Sequence, residues 1–403
     1  MVDIPRIISV DDHVVEPADV WTNRLAARDR ERGPRVERRP ARVFTFVGGA
    51  GSSRESDSGA LADYWLYEDK VVPLFKLSAA AGFPRDEVDL AMVTYDDIRP
   101  GCWQVDERLA DMDVNHVEAS LCFPMFPRFC GQTFLEATDK PLALRCVQAY
   151  NDWMVDEWCG TSGGRLIPLC IVPLWDPQLA AAEVRRNAAR GVTAVTFSEA
   201  PYHLGLPSIH DAGRHWEPFL DACDETGTTV CVHIGSGSVM PSTSRDAPAA
   251  VGSTLTFNNA MGALTDWLFS GVFDRHPTLT LALSEAQIGW IPYILERADV
   301  VWEHNRGWGG VADQILRPPS SYFREHVYAC FFQDAFGLRN LDAIGVDNVT
   351  FETDYPHSDS TWPHTKKVAE ESMGHLDQAT VDKICRDNAI RMLRLDRARY
   401  GGT

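Results

Sequence analysis

The side chains best suited to chemistry in this chain stand at the ends of short apolar runs. The first run, RIISVD (6–11), leads into Asp11, Asp12 and His13, with Glu16 three residues further on. Asp11 and His13 are two apart, so on a strand both face one way and Asp12 the other. VTAVTF (192–197) runs into Glu199, TTVCVHI (228–234) carries His233, and LTLALS (279–284) is followed by Glu285. NVTFET (348–353) opens into FETDYPHSD, offering Glu352, Asp354, His357 and Asp359; Glu352 and Asp359 read as solvated loop acids. Carboxylates gathered at one rim, with no Arg or Lys at these run ends, repel one another and are costly to bury. A bound divalent cation resolves that conflict. Two histidines among carboxylates suit iron or manganese at least as well as zinc.

The elements that must position these residues follow a repeating pattern. Eight strand-like runs occur, the five above plus HVEASLCF (116–123), RLIPLCIV (165–172) and HVYACFF (326–332) completing the series. Amphipathic segments separate most of them, such as DPQLAAAEVRRNAARG, HWEPFLDACDETG, GWIPYILERADVVWEHN and ATVDKICRDNAIRMLRLD. Buried strands alternating with helices predict an α/β fold, a (β/α)8 TIM barrel with a long insertion between strands one and two. A doubly wound sheet is the second choice, but no G-x-G-x-x-G turn follows any run. The expected division is a barrel of residues 1–29 and 109–403, with 30–108 as an insertion or lid over the active-site face. Within it, FVGGAGSSRESDSG (46–59) reads as a flexible loop. A second long connection (235–259) follows strand five and borders the same opening. In such barrels the chemistry collects at the C-terminal strand ends, where the acids and histidines above lie.

Composition narrows the function classes. The chain has 403 residues and a formal net charge of −19. Nucleic-acid binding and attachment to an anionic membrane surface both need a basic face, so neither is expected. Ten cysteines are scattered without a C-x-x-C pair, several inside apolar runs (Cys170, Cys231). They read as core residues of a reducing compartment, and with no apolar run of membrane-spanning length the expected location is cytoplasmic.

Asp11-x-His13, His233 and Asp354 in TDYPHSD together resemble the amidohydrolase superfamily, in the branch of the aminocarboxymuconate-semialdehyde and resorcylate decarboxylases. The resemblance implies one metal on Asp11, His13, His233 and Asp354. The family places a catalytic histidine after strand six, where this chain has Glu285. A carboxylate there can hold a second cation, with Glu199, Glu16 or His357 beside it, so Glu285 and His357 are the expected catalytic residues. The phrases SLCFPMFPRFCGQTF, AYNDWMVDEWCG, STLTFNNAM and FETDYPHSDSTWPHT resemble an actinobacterial offshoot of this family, associated with non-haem di-iron oxygen activation. That resemblance implies two iron ions and a monooxygenase acting on a hydrophobic acyl-CoA, with diterpenoid acids of antibiotic biosynthesis as one such substrate and an external reductant as partner. The alternative is a zinc- or manganese-dependent hydrolase or non-oxidative decarboxylase. Trp65, Tyr67, Phe126, Phe129 and Trp362 would wall the substrate pocket, and Arg128, Lys70 and Lys76 would meet phosphates. A homodimer is a further expectation.

Overall fold

The structure is a computed structural model that describes residues 2–401. Its central element is a ring of parallel strands. β1 (Ile7–Val14) pairs with β7 (Val117–Pro124), and β7 with β8 (Leu166–Ile167). A second sheet runs in order through β9 (Leu169–Cys170), β10 (Ala194–Ser198), β11 (Thr229–His233), β12 (Leu281–Ser284), β13 (Val327–Phe331) and β14 (Val349–Phe351). β8 and β9 are two pieces of the third predicted strand, parted at Pro168, which has no N–H to give to a ladder. The ring closes past the end of β14, where Asp354 N–H donates to the Asp11 carbonyl (3.0 Å) and His13 N–H to the Tyr355 carbonyl (2.7 Å). All eight predicted runs therefore become strand positions of an α/β barrel.

Strands buried on both faces explain the unbroken apolar runs. Ile8, Val10, Leu121, Phe123, Leu169 and Ala282 pack inside the ring, and Ile390, Met392 and Leu393 of the C-terminal segment join the same cluster. Outside the ring, Phe197, Phe219, Leu264 and Trp267 pack the helices onto the strands. Helix Pro177–Ala188 starts where the Asp176 carboxylate accepts from the Gln178 and Leu179 amides. Helix Glu217–Thr226 stops at Gly227, whose φ of 68° closes the last turn.

Residues between β1 and β7 carry antiparallel strands of their own. β2 (Arg35–Pro40), β5 (Leu61–Tyr67) and β6 (Lys70–Pro73) form one sheet, and β3 (Arg42–Val47) pairs with β4 (Ala50–Glu55) in a hairpin. The expectation of a flexible loop over 46–59 is thereby corrected. Gly48 and Gly49 supply the positive φ angles, 61° and 78°, that a tight hairpin turn requires. Gly48 N–H also donates to the Ala247 carbonyl (2.9 Å), joining the hairpin tip to the connection after β11. A Cβ at Gly48 would stand 2.3 Å from the Arg245 carbonyl oxygen, so only glycine allows this approach. All ten cysteines are buried and unpaired by disulfides, and among the described residues no helix is long and apolar enough to cross a membrane.

Candidate metal centre

β1, β11 and the segment after β14 bring two overlapping groups to the C-terminal rim: Asp11, His13 and His233 offer ligand atoms within 4.8 Å of one another, and so do His13, Asp354 and His357. His13 Nε2 lies 3.6 Å from Asp11 Oδ1, 3.4 Å from Asp354 Oδ1 and 3.3 Å from His233 Nε2. His233 Nε2 is 3.7 Å from Asp11 Oδ2 and 3.3 Å from Glu285 Oε2. His233 Nδ1 donates to the Ile234 carbonyl (2.5 Å), so its proton is on Nδ1 and Nε2 presents a lone pair to the cluster. Both carboxylate oxygens of Asp11 and both of Asp354 are buried without a hydrogen-bond partner. Buried carboxylate oxygens are seldom left unpaired. Unpaired carboxylate oxygens beside imidazole nitrogens fit a divalent cation, and Asp11, His13 and His233, with Asp354 beside His13, are the side chains that can hold it.

The electrostatics agree with that fit. Burial, with Glu352, Glu285 and Asp354 close by, holds the Asp11 carboxyl well above its ordinary range. Burial followed by Asp354 and Glu352 does the same to Glu285, and burial followed by Asp359 and Asp12 to Asp354. Burial lowers His13, with His357 and His233 adding to the effect, and takes His233 down to about 3 and His357 to about 4. The cluster by itself therefore favours neutral acids and neutral imidazoles. A cation reverses the balance for the acids and leaves the imidazoles ready to coordinate.

Asp12 faces away from this point, as its parity predicts. Its carboxylate accepts from Ser9 Oγ (3.0 Å), Thr353 Oγ1 (2.6 Å), the Tyr355 amide (3.0 Å) and Ser120 Oγ. It thus ties β1 to β7 and to the segment after β14. Arg108, 1% exposed, donates to the His13 carbonyl (2.6 Å) and fixes the end of β1 from below.

Other predicted site residues fall in different places. His357 joins the cluster, its Nδ1 3.0 Å from Asp354 Oδ1 and its ring stacked on His13 at 3.6 Å. Glu16 does not: its two oxygens accept from the Met125 and Phe126 amides (2.9 Å each). Glu199 is likewise held, its Oε1 accepting from Gly235, Gly237 and Asn259. Backbone amides thus take both oxygens of Glu16, whereas Glu199 Oε2 is buried without a partner. Glu352 is a further correction, because it is fully buried rather than solvated. It alternates with Asp354, and the parity argument used for Asp11 and His13 would have placed it on the inner face. Phe129 stacks on His233 with centroids 4.1 Å apart. Trp65, Phe126, Phe129 and Arg128 line a cavity of about 220 Å³ with Glu16, Leu74 and Met125. Tyr67 packs instead in the core against Phe134, and Trp362 lies under Arg99, its indole N–H donating to the Asp111 carbonyl. Lys70 and Arg128 both pair with Glu136, and Lys76 pairs with Asp89, so none stands free for a phosphate.

A barrel with this acid–histidine cluster at its C-terminal rim defines a metal-dependent enzyme of the α/β barrel class. More narrowly, the family profile described as Amidohydrolase matches residues 19–395, and the chain belongs to that family. It is 26% identical over 310 residues to gamma-resorcylate decarboxylase of Rhodococcus jostii (strain RHA1), covering 72% of this chain and 88% of that protein. The structure of an amidohydrolase from Mycobacterium avium subsp. paratuberculosis K-10 has a TM-score of 0.69 at 22% identity, covering 96% of this chain and 99% of that one. That of 5-carboxyvanillate decarboxylase from Novosphingobium aromaticivorans DSM 12444, complexed with manganese and 4-hydroxy-3-methoxy-5-nitrobenzoic acid, has a TM-score of 0.58 at 18% identity, covering 73% and 81%. These two structural likenesses establish the fold. The expected O2-dependent di-iron monooxygenase is overturned by the comparison, because the relatives named for a reaction are decarboxylases. Nothing among them supports an acyl-CoA substrate, a reductant or a part in antibiotic biosynthesis.

Proposed function

We propose that the protein is a metal-dependent, non-oxidative decarboxylase of a small hydroxylated aromatic acid. The observation that carries this reading is the 26% identity with gamma-resorcylate decarboxylase over 88% of that protein's length. Manganese is the favoured metal, as in the 5-carboxyvanillate decarboxylase complex. Asp11, His13, His233 and Asp354 would hold the metal, which when bound supplies Lewis-acid polarisation of substrate oxygens.

The remaining work falls to this chain's side chains. The 220 Å³ cavity walled by Trp65, Phe126 and Phe129, the last stacked on His233, is of a size to take a single ring. Glu285 is 14% exposed, whereas Asp11 and Asp354 are 1% exposed, so Glu285 is the carboxyl that a substrate in the mouth can reach. In this reading Glu285 gives a proton to the ring carbon that bears the carboxylate. The bond to the carboxylate then breaks, its electron pair returns to the ring, and CO2 leaves. A solvent proton restores Glu285, and no oxidant is consumed.

The antiparallel segment between β1 and β7 acts as a cover. Support comes from Trp65, Val72, Leu74 and Phe75, which it contributes to the cavity wall, and from its hairpin tip bonded to Ala247. The test is turnover in D2O of 2,6-dihydroxybenzoate and 5-carboxyvanillate by the manganese-loaded protein. Each accepted acid yields a product with one deuterium at the vacated ring carbon. A panel of such acids left unchanged would overturn the reading.

A further inference from the structure

Below the histidine cluster lies a second group that the proposed reaction does not use. Glu352, two residues before Asp354, and Cys330 on β13 are both buried, at 0% and 1% exposure. Cys330 Sγ donates to Glu352 Oε2 (2.8 Å), which also accepts from the Glu285 amide (3.2 Å). The other oxygen, Oε1, is buried and has no partner. Asp11, Cys330 and Glu352 each offer a ligand atom, and these atoms lie within 4.8 Å of one another. Asp11 thus faces both groups, with neither of its oxygens hydrogen-bonded.

Charge supplies an independent argument. Asp11, Asp354, Glu285 and Glu352 share this end of the barrel. Arg108, the buried cation nearby, is directed at the Gly101 and His13 carbonyls and at Cys122. One divalent ion at the histidine centre balances Asp11 and Asp354, and Glu285 carries the proton it donates; Glu352, with Oε1 unpartnered, has no cation of its own.

We propose that Asp11, Glu352 and Cys330 form a second divalent-cation position on the inner side of the histidine centre, with Asp11 shared between the two. Its ligand set, two carboxylates and a thiolate, is softer than the histidine–carboxylate set above it and favours zinc or cobalt over magnesium or calcium. Binding displaces the Cys330 thiol proton to solvent as the Sγ–metal bond forms. The inference rests on the histidine centre being a metal site, but not on the identity of the reaction.

The test uses the full-length protein, stripped by chelation and titrated with Co2+ alone. Two equivalents bind, and the second brings a near-ultraviolet thiolate-to-cobalt charge-transfer band. Cys330→Ser abolishes the band and Glu352→Gln weakens the second equivalent at least tenfold, while both keep the first. A single equivalent without the band in the wild-type protein overturns the second site and leaves the histidine centre standing. No cobalt uptake at all overturns both. The wild-type spectrum decides even if a variant does not fold, and decarboxylation measured separately reports on the reaction alone.

Discussion

At the scale of single residues, Glu285 separates two kinds of chemistry. It sits at a backbone φ of 52°, which turns its carboxylate to within 3.3 Å of His233 Nε2 at the end of β12. As a proton donor rather than a required ligand, its replacement in Glu285→Gln should leave bound metal unchanged. Turnover, read as kcat on an accepted aromatic acid, should fall about 10²–10⁴-fold. Loss of metal together with activity would instead make Glu285 a ligand. Asp11, His13, His233 and Asp354 were legible from the sequence because alternation and strand ends fix where such side chains point. The surroundings of Glu16 and Glu199 were not legible, because backbone amides from the β7 and β11 ends, distant in sequence, reach both oxygens of Glu16 and one of Glu199. No local pattern marks an acceptor for a remote amide.

At the scale of elements, the eight barrel strands were readable because strands buried on both faces leave continuous apolar runs. The sheet between β1 and β7 was not. Every residue of β4 is exposed, and its sequence AGSSRE has the composition of a loop. Pairing to β3 and the Gly48–Gly49 turn, rather than burial, make it a strand. Asp12 is the main cross-element tie, holding donors from β1, β7 and the segment after β14. Asp12→Ala leaves these buried donors unpaired and should destabilise the protein by about 3 kcal/mol in denaturant unfolding. Because it positions Asp11 and His13, the same change should weaken metal binding by about 10–100-fold. Asp12→Asn, which keeps one acceptor, should do less on both counts.

At the scale of the whole molecule, a chain of net charge −19 concentrates buried acids at one end of its barrel. Without metal, Glu352 is pushed up to about 8, chiefly by burial, and Asp11, Asp354 and Glu285 are also raised. Groups whose folded pKa is raised contribute stability below their unfolded pKa that is lost as pH rises through the folded value. The buried His13, His233 and His357, held below 6.5, work the opposite way up to that pH, so the chelated protein should lose stability most clearly between about pH 6.5 and 8, the latter being the value of Glu352. Metal needs the ionised acids, so the Tm gain on adding Mn2+ should widen over the same interval. Thermal melts with and without chelator across this range check the trend; a gain that shrinks as pH rises would contradict the placement of the cation among these carboxyls.

The central claim is tested most directly by following carboxyl-labelled 2,6-dihydroxybenzoate and related hydroxybenzoic acids with the Mn2+-loaded protein under strictly anaerobic conditions. The account predicts labelled CO2 and the decarboxylated phenol in equal amounts, unchanged by adding air and abolished by a chelator. Oxygen consumption with a hydroxylated product that keeps its carboxyl group would contradict it.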